Sequence, residues 1–257
     1  MRIQEVIDAL ERFAPLPLQE SYDNAGLQIG LTEANVSGVL LCLDVTEKVL
    51  AEAVEKGCNL IVSHHPLLFR GLKQISDQNL VARCVRYALQ HNLAIYSAHT
   101  NLDNARDGVN FEIMNRLGGT FERFIEEKEN GGSGVIFTLP EAETSMDFLQ
   151  RVKTTFGVHT LMHNACSKTE IRRVAVCGGA GDEFLDGALR QKCDAFLTGE
   201  MHYHVYFGHE DEILIGVLGH YESEKFTIQL LHRILERSFP TLQLIETQIN
   251  TNAINYF

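Results

Sequence analysis

Apolar and polar positions along this chain follow two rhythms. The opening residues, MRIQEVIDALERF, place Ile3, Val6, Ile7, Leu10 and Phe13 on one stripe with charges between them, which predicts an amphipathic helix. A polar, turn-prone stretch, QESYDNAGLQIG, leads into GVLLCLD, an apolar run of strand length. Thr46 can cap the next helix, whose inward stripe is Val49, Leu50, Ala53 and Val54, and Gly57 closes it. CNLIVS reads as a second strand, residues 77–91 as a longer helix and LAIYSAH as a third strand. Strands and helices that alternate over short connections predict a parallel α/β sheet with right-handed crossovers.

The second half repeats this pattern. Laid without a gap over VAVCGGAGDEFLDGALRQKCDAFLTGE (174–200), residues 39–65 match at Val39/Val174, Cys42/Cys177, Leu50/Leu185, Ala53/Ala188 and Cys58/Cys193. Further on, AIYSAHTNLD lies over IGVLGHYESE, matching His99 to His220 and Asp103 to Glu224. The expected fold is therefore α/β: two similar lobes from an internal duplication, with mainly parallel or mixed sheets and a metal site in the cleft between them. The first lobe is expected over 1–124 and the second over 125–257. The glycine-rich 125–135 reads as a linker. GVIFTLP, a helix near 143–156 and VHTLMH read as a small strand-helix-strand excursion near 133–165, with His159 and His163 as surface or packing residues.

Composition narrows the function classes. With 45% hydrophobic and 22% charged residues the chain is an ordinary globular one, and no apolar run reaches membrane-spanning length. Charges interrupt the amino-terminal stripe, unlike a secretory leader, which points to the cytoplasm. Six cysteines sit mostly in apolar runs with no CxxC pair, as buried thiols do in a reducing compartment. The excess of 34 acidic over 22 basic residues argues against direct nucleic acid binding. A nucleotide or other phosphate-bearing small molecule would need metal ions or a few placed cations.

The chemistry concentrates where the predicted strands end, the edge at which parallel sheets collect their ligands. Strand two ends in Ser63-His64-His65, strand three in His99 with Asp103 beyond it, and the last strand in Gly219-His220 with Glu224 one helical turn on. Neighbours on a regular strand face opposite ways, but Pro66 stops the ladder and lets both rings of the double histidine turn to one side. His64, His65 and His220 with Asp103 and Glu224 exceed the needs of one tetrahedral ion. They suit two divalent ions about 3.5 to 4 Å apart, and nitrogen and oxygen donors favour Zn, Mn, Fe or Co. Glu200, which stands where His65 stands in the first repeat, and His204 are candidates for proton transfer. CGGAG (177–181) follows a strand but lacks the spacing of a nucleotide-binding loop.

The strings SYDNAGLQIG, SHHPL, AHTNLD, VAVCGGAG, TGE and GHYESE, in this order over nearly the whole chain, resemble the Nif-three-like family, also called GTP cyclohydrolase 1 type 2 homologues. The resemblance implies two related α/β lobes, a dinuclear metal centre and a ring-shaped homohexamer. By motif it puts the metal ligands on His64, His65, Asp103, His220 and Glu224. It further implies a metal-dependent hydrolase, with metal hydroxide attacking a purine nucleotide such as GTP. A non-catalytic hexameric metal-binding or adaptor protein is the alternative. Two departures stand out: residues 125–170 are too few for the additional domain of longer relatives, and Tyr22 replaces the usual Trp of the first motif.

Overall fold

The structure, a computed structural model, describes residues 1–256. The chain divides into two compact units, one of Met1–Leu102 together with the chain from Thr227 onward, the other of Asp103–Phe226.

The first unit contains helix α1 (Ile3–Phe13), strands β1 (Gly26–Ile29) and β2 (Val39–Cys42), helix α2 (Glu47–Glu55), strand β3 (Leu60–Ser63), helix α3 (Leu80–Gln90) and strand β4 (Ala94–Ser97). Helix α9 (Thr227–Ser238) and strand β11 (Leu244–Glu246) complete it. The sheet order is β1-β4-β3-β2-β11, parallel except for β1. Every residue of β2, β3 and β4 is buried, which is why VLLC, LIVS and AIYS read as continuous apolar or small-residue runs rather than alternating ones. The Thr46 hydroxyl accepts the Val49 N–H at 3.3 Å to start α2, and Asn79 caps α3 through the Ala82 N–H at 2.9 Å. Val54 is exposed, contrary to the expected stripe. Glu52 is buried instead, because its carboxylate accepts the Thr247 hydroxyl and the Gln248 N–H from the segment after β11.

The second unit carries a six-stranded sheet. Its strands are β5 (Thr120–Lys128), β6 (Gly131–Glu143), β7 (Met162–His163), β8 (Ile171–Ala180), β9 (Ala195–Glu200) and β10 (Leu214–Val217), in the order β5-β6-β8-β9-β10-β7. β8, β9 and β10 are parallel, and the flanking pairs are antiparallel. Helix α4 (Thr100–Asp103) carries the chain in; α5 (Val109–Arg116), α6 (Ser145–Phe156), α7 (Leu185–Arg190) and α8 (His220–Glu224) follow. Phe137, Phe148, Val152 and Phe156 belong to one core of this unit, and Ala175, Phe196 and Ile215 to another.

Both units thus contain a strand-helix-strand step followed by a third parallel strand. Val39 pairs with Leu60 and Val174 with Ala195, the same separation in each. The third strands differ by one residue: Ser63 faces Ser97, whereas Thr198 faces Val217. By sheet register His99 therefore corresponds to Gly219, one position short of the His220 matched by sequence.

Three sequence readings change. Residues 125–135 form the turn and inner part of the β5–β6 hairpin, not a linker, and a boundary after 124 would cut β5. Their glycines are packing positions: a Cβ on Gly132 would lie 2.3 Å from the Phe124 ring and one on Gly134 2.6 Å from Ile125 Cδ1. VHTLMH supplies only the two residues of β7, and His159 lies outside any strand. The helical turn read from His220 to Glu224 is a short helix of its own, α8, separated from α9 by Lys225 and Phe226. Gly134→Ala, at φ +58° and within 2.9 Å of the Val176 carbonyl, is expected to lower unfolding free energy by about 2 kcal/mol in a urea titration. A tolerant linker would show no change.

Candidate metal centre

In the first unit the double histidine continues the sheet beyond β3. His64 N–H bonds the Cys42 carbonyl at 3.2 Å and His65 N–H the Leu43 carbonyl at 2.9 Å. The Ser63 hydroxyl, 2.8 Å from that of Ser97, also bonds the His65 carbonyl at 2.9 Å. With Pro66 next, the two side chains fall to one side, their ring centroids 4.9 Å apart. His99 joins them at 5.3 and 5.6 Å, so that one nitrogen from each of the three rings lies within 4.8 Å of the others.

What the Nδ1 atoms do decides the chemistry of these rings. His64 Nδ1 is 2.8 Å from the Ala98 carbonyl, His65 Nδ1 2.7 Å from Asp44 Oδ1 and His99 Nδ1 2.7 Å from Asp23 Oδ1. A carbonyl or carboxylate oxygen can only accept, so each Nδ1 carries a proton, and the lone pair of the neutral form of each ring lies on Nε2. This is the arrangement in which protein imidazoles bind metals: one nitrogen tied to an oxygen, the other offered to the ion. Asp23 is itself firmly held, accepting the Thr100 N–H at 3.1 Å, the Thr100 hydroxyl and the Asn24 N–H at 2.6 Å. Burial acts to raise its pKa, but the bonds from His99 and Thr100 outweigh it and bring the carboxyl down to about 2. Asp44 is likewise depressed, since hydrogen bonds from His65 and Thr251 overcome its desolvation.

In the second unit the carboxyl ends of β8 and β9 meet α8. His220 Nδ1 is 2.9 Å from Glu200 Oε1, and His220 Nε2 is 3.2 Å from Glu224 Oε2. Glycines make room for this pair. A Cβ on Gly179, at φ +61°, would sit 2.3 Å from Glu224 Oε1, and one on Gly199 would sit 2.8 Å from Ser223 Oγ. The Ser223 hydroxyl accepts the Gly179 N–H at 3.0 Å and bonds the His220 carbonyl at 2.8 Å, locking α8 to the end of β8. The glycines of CGGAG thus give clearance to a histidine–carboxylate pair. Asp103, at the end of α4, is half-buried, and its carbonyl accepts from Asn110 Nδ2 at 3.1 Å.

Of the two proton-transfer candidates, Glu200 is exposed and orients His220. His204 is exposed on the 203–206 turn, its ring against Tyr203 and Phe207. Its neighbour His202 bonds Asp182, which raises the imidazole pKa. The supporting roles of Asp23, Asp44, Gly179 and Gly199 have no counterpart in the sequence analysis, and His99 stands outside the ligand set it names. The signal for the aspartates was present, since each lies in a polar turn beside an apolar strand, but nothing in the sequence pairs them with particular histidines. The donor set of neutral imidazoles and carboxylates fits Zn, Mn, Fe or Co, and the six cysteines are free thiols, five of them buried.

Residues 1–253 match the sequence profile of the family described as Duf34/NIF3 (NGG1p interacting factor 3). The chain belongs to this family. A Clostridium acetobutylicum relative named GTP cyclohydrolase 1 type 2 homolog is 32% identical over 242 residues, 92% of this chain and 90% of that one. A Lactococcus lactis relative of the same name is 33% identical over 262 residues, 98% of each. Among solved structures, a Staphylococcus aureus protein described as hypothetical superposes with a TM-score of 0.92 at 25% identity, over 100% of this chain and 99% of that one. The mixed α/β class read from the sequence is therefore that of the family, and no helix among the described residues is long and apolar enough to cross a membrane.

Because the Asp23 pKa is lower in the fold than its ordinary value near 3.8, its stabilising effect is complete above about pH 4 and disappears as pH falls through 2. Urea unfolding measured from pH 6 to pH 2 is expected to show this loss in the wild type and a flatter profile in Asp23→Asn.

Proposed function

We propose that this protein is a metal-dependent hydrolase of small molecules, with two divalent ions held by His64, His65, Asp103, His220 and Glu224. The observation that carries this reading is the common state of the strand-end imidazoles. His64, His65 and His220 each have Nδ1 on an oxygen acceptor, which makes Nε2 the nitrogen that would ligate, and His220 Nε2 lies 3.2 Å from Glu224 Oε2, another proposed ligand. Three such rings and two carboxylates leave open coordination positions on a pair of ions. Bound divalent ions supply Lewis acidity, which polarises a substrate oxygen and acidifies water.

The chain's own groups do the rest. Asp44, the Ala98 carbonyl and Glu200 hold the Nδ1 protons of the ligating imidazoles and fix their ring planes. Asp23 does the same for His99, whose ring flanks both His64 and His65. Glu200 and His204 are the groups proposed to move protons, Glu200 at the carboxylate that already faces His220 Nδ1. The relatives' name makes GTP the first substrate to try, with opening of the purine ring and release of formate as the reaction. A homohexamer accompanies this reading, and sedimentation of the purified protein measures it.

Protein purified without added metal is expected to contain close to two divalent ions per chain, and His64→Ala to contain fewer. Loaded with Zn, Mn or Fe, the wild type is expected to release formate from GTP, and Glu224→Gln to lose at least a hundredfold in turnover while unfolding at the same temperature. No formate under any loading, with activity on another phosphoester or amide substrate, would redirect the substrate and keep the hydrolase. Bound metal with no turnover on a broad panel would leave the metal-binding adaptor as the better reading.

A further inference from the structure

Asp44, just past the end of β2, has both carboxylate oxygens engaged. Oδ1 accepts from His65 Nδ1 at 2.7 Å and Oδ2 accepts from the Thr251 hydroxyl at 2.6 Å. Thr251 is 207 residues further along the chain, in the segment that follows β11. That segment is fastened step by step. The Thr247 N–H bonds the Leu41 carbonyl at 2.9 Å, the Thr247 hydroxyl bonds Glu52, and the Gln248 N–H bonds Glu52 Oε1 at 2.9 Å. The Ile249 N–H then turns back to Thr247 Oγ1 at 3.2 Å, with the Ile249 side chain against the core of the first unit.

The other acceptors in this unit need no such help. The Ala98 carbonyl is backbone, and the Ala98 N–H is itself bonded to the Ser63 carbonyl at 2.9 Å. Asp23 receives three further bonds from Asn24 and Thr100. The terminal torsion of an aspartate is soft, so a carboxylate with one oxygen engaged can still rotate about it. For Asp44 the second hold is Thr251.

We propose that residues 247–251 form a strap that sets the ring of His65 for metal binding, with Thr251 as a positioning residue acting through Asp44. The proposal rests on the reading of His65 as a metal ligand. Removing a partner that orients a ligating histidine typically weakens metal binding 10- to 100-fold, and Thr251 lies one bond further out, so about tenfold is the expected effect.

The test measures Zn²⁺ affinity of the full chain by competition with a chromophoric chelator, in wild type, Thr251→Val, Thr251→Ser and His65→Ala. Thr251→Val is expected to bind zinc about tenfold more weakly with an unchanged thermal midpoint in the metal-free state, and Thr251→Ser to bind as wild type does. In proton NMR of the metal-free protein, the His65 Nδ1 proton is expected to exchange with water faster in Thr251→Val than in wild type or Thr251→Ser. If His65→Ala loses zinc while Thr251→Val matches wild type in affinity and in proton exchange, the strap is overturned and the metal reading stands. If His65→Ala binds zinc as tightly as wild type, both are overturned.

Discussion

A neutral imidazole has one proton and one lone pair on its ring nitrogens, and whatever holds the first decides where the second points. In this protein the hydrogen bonds from histidine Nδ1 to an oxygen are the constraint around which the strand ends are arranged. His64 uses a backbone carbonyl, His65 and His99 use aspartates, and His220 uses a glutamate. Each acceptor is placed by an element of the fold. Ala98 lies at the exit of β4, Asp44 at the exit of β2, Asp23 in the turn before β1 and Glu200 at the end of β9. Within each unit the sheet sets where its own exits lie, and its buried apolar strands provide the rigidity that keeps a ring plane fixed.

Clearance is the second constraint. The backbone at Gly179 and Gly199 runs so near α8 that any side chain there would strike Glu224, Ser223 or His220. In the first unit the corresponding strand ends carry side chains, Asp44 after β2 and His64 and His65 after β3. The two units use similar strand-helix-strand frames for different ends: one surrounds a cluster of three imidazoles, the other fits a single histidine and its carboxylate neighbour against bare backbone. An inherited frame with divergent strand ends accounts for both the repeat in the sequence and its asymmetry.

Acidic groups dominate the supporting network, in keeping with the negative charge of the chain. Asp23 and Asp44 are both held below their ordinary pKa although burial opposes it, because histidine and hydroxyl donors converge on them. They stay ionised at neutral pH and keep their imidazoles in one tautomer. The cysteines take no part: Cys42, Cys58, Cys84 and Cys193 are buried thiols whose pKa desolvation pushes up.

Much of this was legible in the residues alone. Continuous apolar runs such as VLLC and LIVS announced buried parallel strands, Thr46 announced the start of α2, and polar residues at strand ends announced where the chemistry lies, because burial and capping act over a few residues. The double histidine followed by Pro66 was readable for the same reason. Tertiary structure alone decided what depends on residues distant in the chain. It made 125–135 a hairpin, since Gly132 and Gly134 are small to admit Phe124 and Ile125 across the pair. It also returned the chain after Thr227 to the first unit, chose Glu52 over Val54 for burial, and matched Asp23 to His99 and Asp44 to both His65 and Thr251. A hydrogen bond spanning 207 residues leaves no periodicity in a sequence, because only the folded chain brings its two ends within 2.6 Å.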